Sequence, residues 1–148
     1  MKGSIISILF LLTGFQMQSQ QPVSEGAYHQ RLDKEYCSPL FRTANDYMLV
    51  PMDDPTAASY FSVCQYLQGR LPGLMIFNAF SFSPFLLYRN GRPALYVDEM
   101  PADPTYFNSV PMADVAIIKL IRPPFVGAPG SGPGGALALY TKKGTEEE

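Results

Sequence analysis

Apolar residues in this chain fall into short runs, and their spacing changes twice along its length. Behind Lys2, positions 5–15 are almost wholly apolar, and a polar stretch rich in glutamine follows to Pro22. A charged start, a short apolar centre and a polar exit form the pattern of an export signal, and the run is too short for a spanning helix. Residues 1–20 are therefore read as a signal peptide, with cleavage near Ser19 to Gln21. From 21 to 54 periodicity is weak. Tyr28, Leu32, Tyr36, Leu40 and Phe41 make one brief helical stripe that Pro39 interrupts. This segment is expected to be weakly structured.

Stronger signals begin at Pro55. Asp54 stands where a helix N-cap would, with proline at the first helical position. Tyr60, Phe61, Val63, Cys64, Leu67 and Leu71 recur at three- and four-residue spacing, which predicts the main helix of the chain. Gly69 and Pro72-Gly73 end it. Beyond Gly73 the runs shorten to strand length. Leu74 to Phe80 is one, Phe82 to Arg89 another, and Pro93 to Val97 a third. Asn90-Gly91 between the last two predicts a hairpin. A single helical turn is expected around Tyr106 to Val110. Val115 to Ile121 is a β-branched run stopped by Pro123-Pro124, the pattern of a buried strand. A Gly/Pro loop from Phe125 to Gly135 precedes a last strand, Ala136 to Thr141, and an acidic tail at 145–148. One main helix with four or five strands gives an α+β fold built on a small mixed sheet.

Composition narrows the function. The 148 residues carry 11 Lys and Arg against 13 Asp and Glu, and 11 − 13 gives a net charge of −2. No clustered basic field is available for nucleic acid. The 14 prolines keep the elements short, and a single histidine, His29, leaves no partner set for a zinc site or a nucleophile–base pair. Asp98, Glu99 and Asp103 could do acid–base chemistry in a small secreted enzyme, but their spacing matches no calcium loop. The glycine-rich loop lacks the Lys-Ser/Thr pair and the following helix that phosphate binding needs. No cofactor is expected. Cys37 and Cys64 form an even pair that an oxidising compartment permits to bond.

Four phrases, in order, resemble the plug domain of TonB-dependent outer-membrane receptors of the SusC/RagA-like type. They are Tyr66-Leu67-Gln68-Gly69-Arg70-Leu71-Pro72-Gly73-Leu74, Pro93-Ala94-Leu95-Tyr96-Val97-Asp98, the run from Asp114 to Leu120, and the closing stretch from Gly134 to Gly144. The resemblance spans residues 55–144. Glu99 stands where the family pattern has glycine. In that family the plug sits inside the barrel of its own chain and gates it. The resemblance thus implies a non-enzymatic exported module, free-standing here because no barrel follows Gly144, located in the periplasm or at the outer membrane. Its partner would be an outer-membrane β-barrel or another periplasmic or envelope protein. A truncated or vestigial receptor fragment is the alternative. Contact residues are expected on turns: Asn90 and Gly91, Asp98, Glu99 and Asp103, and Phe125, Gly127 and Gly130.

Overall fold

The computed structural model describes residues 25–126 and 133–144. The segment read as an export leader, Gly127, Gly130 and the acidic tail lie outside them. Helix α1 (Glu25–Tyr36) comes first, then strand β1 (Asp46–Leu49), helix α2 (Val63–Leu67), strands β2 (Leu74–Phe77), β3 (Phe85–Tyr88), β4 (Ala94–Val97) and β5 (Met100–Pro101), helix α3 (Pro104–Ser109), and strands β6 (Val115–Ile121) and β7 (Ala136–Thr141). Five strands form one mixed sheet in the order β1-β6-β7-β4-β5, while β2 and β3 pair only with each other. The α+β class and the mixed sheet stand as read from the sequence.

Strands β6 and β7 occupy the places their β-branched and aliphatic runs predicted. They are central, and every residue from Val115 to Tyr140 within them is buried. Alternation sends Val115, Ile118, Leu120, Leu137 and Leu139 to one side with α2, α3 and the β2–β3 hairpin. It sends Ala116, Ile117, Ile121, Ala138 and Tyr140 to the other, under α1 and Phe125. A register shift between Val115 and Ile117 places Ala116 and Ile117 together on that second side. Strand β4 runs parallel to β7, and all the other pairs are antiparallel.

The segment expected to be weakly structured is instead half of the second layer. Its longest helix, α1, buries only Leu32 fully, so its apolar stripe is too thin for periodicity to register. Polar contacts dock it. Lys119, wholly buried in β6, places Nζ 2.5 Å from Asp33 of α1 and 2.7 Å from Asp46 of β1, and donates to the Phe41 carbonyl at 3.0 Å. Burial pulls the lysine pKa down, but its bonds to Asp33 and Asp46 outweigh this and the net shift is upward. Arg42 then closes the helix end, its Nε donating to the Cys37 carbonyl at 2.7 Å and its Nη2 to that of Lys34 at 3.2 Å.

The predicted main helix starts later than its sequence signals. The Asp54 carboxylate accepts from the Thr56 amide (2.9 Å) and hydroxyl (2.7 Å), which turns the chain into a single 3-10 turn at Ala57–Ser59. Ser62, in an extended conformation, is the true N-cap, accepting from the Gln65 amide at 3.4 Å. Phe61 consequently points to solvent. In the Gly69-Arg70 phrase, the Arg70 guanidinium lies 4.3 Å over the Tyr66 ring and donates to the Tyr60 hydroxyl at 3.0 Å.

The Asn90-Gly91 hairpin also differs from expectation. The tight turn closes from the Gly91 amide to the Tyr88 carbonyl (3.1 Å), so Arg89 and Asn90 are its central residues, with Arg89 at φ 53°. It does not join two strands of one sheet: β3 has paired back on β2, and β4 leaves for β7. Gly91 is required for a different reason. A Cβ there would stand 2.6 Å from the Gly134 amide nitrogen, and one on Gly134 would stand 2.3 Å from the Arg92 carbonyl carbon. The two glycines let the start of β7 pass against the start of β4. Gly135, at φ 74°, would meet the Ile121 carbonyl oxygen at 2.2 Å if it carried a side chain.

The two cysteines do not pair. Both are free and buried, Cys37 in the α1 layer and Cys64 in the α2 layer, with the five-stranded sheet between them. Burial pushes the Cys37 thiol up to about 11 and the Cys64 thiol to about 12, so neither is a nucleophile at neutral pH.

Candidate functional site

The three loop acids named from the sequence are held by the fold. Asp98 and Glu99, at φ 49° and 67°, are the central pair of a type I′ turn between β4 and β5. Asp98 accepts from the Thr141 amide at 2.8 Å and its hydroxyl at 2.9 Å. Glu99 takes a left-handed conformation, and its Oε1 accepts from the Ser38 amide at 2.6 Å and the Tyr140 hydroxyl at 3.2 Å. These bonds tie the turn to the end of α1 and offset its backbone strain. Asp103 caps α3, accepting from the Tyr106 amide at 2.9 Å. Asp98 and Glu99 share one cavity of about 310 Å³ with Tyr36, Tyr140, Lys142 and Lys143, and Asp103 does not line it. Among the described residues, no three His, Cys, Asp or Glu side chains are grouped to hold a metal ion.

Phe125 is not on the surface. It is buried, its ring 5.3 Å from Phe41 and 6.1 Å from Tyr96, and it anchors the chain after β6 onto the α1 layer. Gly91 is buried in the close approach described above, and Asn90 beside it is exposed.

A different constellation faces solvent. Phe61, Phe80 and Phe82 are 93%, 85% and 91% exposed, and all three line one cavity of about 290 Å³. Ser62, Gln65, Thr105, Asn108 and Ser109 contribute polar but uncharged groups to its wall. The arrangement is held by Asn108 of α3, which is nine-tenths buried. Its Oδ1 accepts from the Cys64 amide of α2 at 3.0 Å, and its Nδ2 donates to the Ser81 carbonyl at 3.1 Å. One side chain thus fixes the segment that carries Phe61 relative to the loop that carries Phe80 and Phe82. Periodicity placed Phe61 on a helix stripe and took the phenylalanine loop for strand ends. The legible signal was charge: no Asp, Glu, Lys, Arg or His occurs from Leu71 to Tyr88.

No protein-family profile matches the chain, and no curated protein matches it in sequence. Solved structures do resemble it. The ferric yersiniabactin uptake receptor FyuA from Yersinia pestis aligns over 68% of this chain and 17% of its own, at 21% identity and a TM-score of 0.53. The RagAB peptide importer aligns over 72% of this chain and 13% of its own, at 16% identity and a TM-score of 0.53. A form of the ferric enterobactin receptor PfeA from Pseudomonas aeruginosa aligns over 77% of this chain and 18% of its own, at 18% identity and a TM-score of 0.51. What the chain shares with them is a fold. The aligned part of each receptor is its plug region, so this chain spans less than a fifth of each receptor's length. Those neighbours are transport receptors rather than enzymes. Among the described residues, no helix is long and apolar enough to cross a membrane.

Proposed function

We propose that this chain is a non-enzymatic plug-type module of the cell envelope that docks against an outer-membrane β-barrel and obstructs its lumen. The observation that carries the reading is the likeness in fold to the plug region of uptake receptors. The state of the loop acids supports it: Asp98, Glu99 and Asp103 each serve an intramolecular bond, which favours a scaffold over acid–base chemistry. A barrel lumen is lined by polar side chains. The matching surface is the outer side of α1, where Gln30, Arg31, Lys34 and Glu35 are exposed, together with the exposed turn at Arg89 and Asn90. The SusC/RagA-like subtype, the export leader and residence at the outer membrane belong to the same proposal.

The test places a photo-crosslinking residue at Arg31, and separately at Asn90, in the full chain made in its own host. The expected result is a covalent adduct with an outer-membrane β-barrel protein after envelope solubilisation. Adducts with soluble proteins alone, or none at either position, overturn the proposal.

A further inference from the structure

We infer that the outer face of the β2–β3 hairpin, with the phenylalanine loop at its end, is a self-association surface whose occupant is a second copy of this chain. The hairpin is apolar on both faces. Leu74, Ile76, Leu86 and Tyr88 turn toward the core, while the cross-strand pairs Met75–Leu87 and Phe77–Phe85 turn away from it. A sheet that keeps one face in water normally alternates apolar with polar residues, and apolar residues on both faces are the mark of strands covered twice. Among the described residues, the outer face meets only a partial cover, the Arg92 guanidinium 4.3 Å over the Phe85 ring. Met75, Phe77 and Phe85 are left partly exposed, and Phe61, Phe80 and Phe82 almost entirely so.

Three features favour a second copy over other occupants. The first is area. At 150–250 Å² for a whole aromatic side chain, these six residues present on the order of 800 Å², about one partner's share of a standard stable interface. The second is charge. A two-fold contact sets a patch against itself, so any charge in it meets its own like. The molecule carries a net −2, yet the stretch from Leu71 to Tyr88 contributes no charge of its own, and the Arg92 guanidinium, 4.3 Å over the Phe85 ring, borders the patch at that residue. A barrel lumen, being polar, matches this face poorly. The third is shape. A self-complementary patch needs both knobs and a hole, and the exposed rings surround a cavity of about 290 Å³. A dry cavity of roughly 150 Å³ already accepts a benzene ring, so Phe82 of one copy can enter the cavity of the other.

Burial would strand few polar groups. The Ser81 amide donates to the Asn78 carbonyl at 2.8 Å, the Ser83 amide to the Ser81 hydroxyl at 3.4 Å, and the Ser81 carbonyl accepts from Asn108. Asn108 also holds the two backbone segments that carry the exposed rings, which lowers the entropic cost of docking.

Sedimentation velocity of the purified full chain over a wide concentration range tests this. The expected result is a monomer–dimer equilibrium, with Phe82→Asp raising the dissociation constant by about thirtyfold or more, as for a central interface residue. Asn90→Asp should leave it unchanged. Should Phe82→Asp fail to fold, Phe61→Ser, from the other segment, gives the same readout. A chain that is monomeric at every concentration overturns the inference, and so does a dimer indifferent to Phe82 and Phe61. A monomer that pellets with zwitterionic lipid vesicles through these rings assigns the face to lipid and also overturns it. The barrel reading is untouched by any of these outcomes, since its crosslinks start from α1 and Asn90.

Discussion

Two pairs of strands in this protein carry nearly the same sequence signature and meet opposite fates. Strands β6 and β7 read Val-Ala-Ile-Ile-Lys-Leu-Ile and Ala-Leu-Ala-Leu-Tyr-Thr, and β2 and β3 read Leu-Met-Ile-Phe and Phe-Leu-Leu-Tyr. Both pairs are apolar on both faces, Lys119 of β6 apart. The first is covered twice by its own chain, by α2, α3 and the hairpin on one side and by α1 and Phe125 on the other. The second is covered once by the described residues. Continuous hydrophobicity therefore says that a strand is suited to double burial, but not what supplies the second layer. In the central sheet that layer is expensive to build, because it buries a lysine and needs two aspartates to neutralise it. In the hairpin it is left open, with the exposed rings held in register by Asn108.

Substitutions can break this contrast. The largest effect is expected from Lys119→Ala, which strands Asp33 and Asp46 beneath α1 and should cost about 3–5 kcal/mol in denaturant unfolding. A loss under about 1 kcal/mol would show that α1 docks by its apolar residues alone.

Alkaline unfolding probes both covered layers together. Unfolded thiols ionise near 9.0, whereas folded Cys37 holds its proton to about 11 and Cys64 to about 12. Raised values of this kind add stability that is complete below pH 9 and is lost as pH climbs through 11 and then 12. The raised Lys119 acts in the same direction. Denaturant midpoints should therefore fall steadily above pH 9, and Cys64→Ala should flatten the upper part of that decline. Midpoints that stay level to pH 11 would contradict the burial of both thiols.

Asn108→Ala should cost about 1–3 kcal/mol, since it leaves the buried Cys64 amide without its acceptor. It should also speed hydrogen exchange at Cys64, the clearest sign that the ring-bearing loop has come loose. The smallest effect is expected at Phe82→Ser, within about 0.5 kcal/mol for the monomer, because this ring is 91% exposed. A large loss there would move Phe82 into the core and remove the contrast.

Strands β6 and β7 were legible because their signals are local: apolar and β-branched runs and proline stops act over a few residues. Helix α3 lies where a single turn was expected, capped by an aspartate that the sequence named for its chemistry. Helix α1 was not legible, since Leu32 is its one fully buried residue and its hold on the sheet comes from Asp33 meeting Lys119, 86 positions away in the chain. The turn at Arg89 and Asn90 was visible as a turn, but its strand β3 chose β2 as partner. The sequence named Asp98, Glu99 and Asp103 for their chemistry, and long-range partners such as Thr141 and Ser38 turned the first two into ties within the fold.

Local physics thus settled where most strands and turns lie, since backbone preference and apolar spacing are written residue by residue. Which strands pair, which side of the sheet each cysteine occupies, and which apolar faces remain uncovered were decided only when distant segments met. Pairing energy depends on partners that no local window contains.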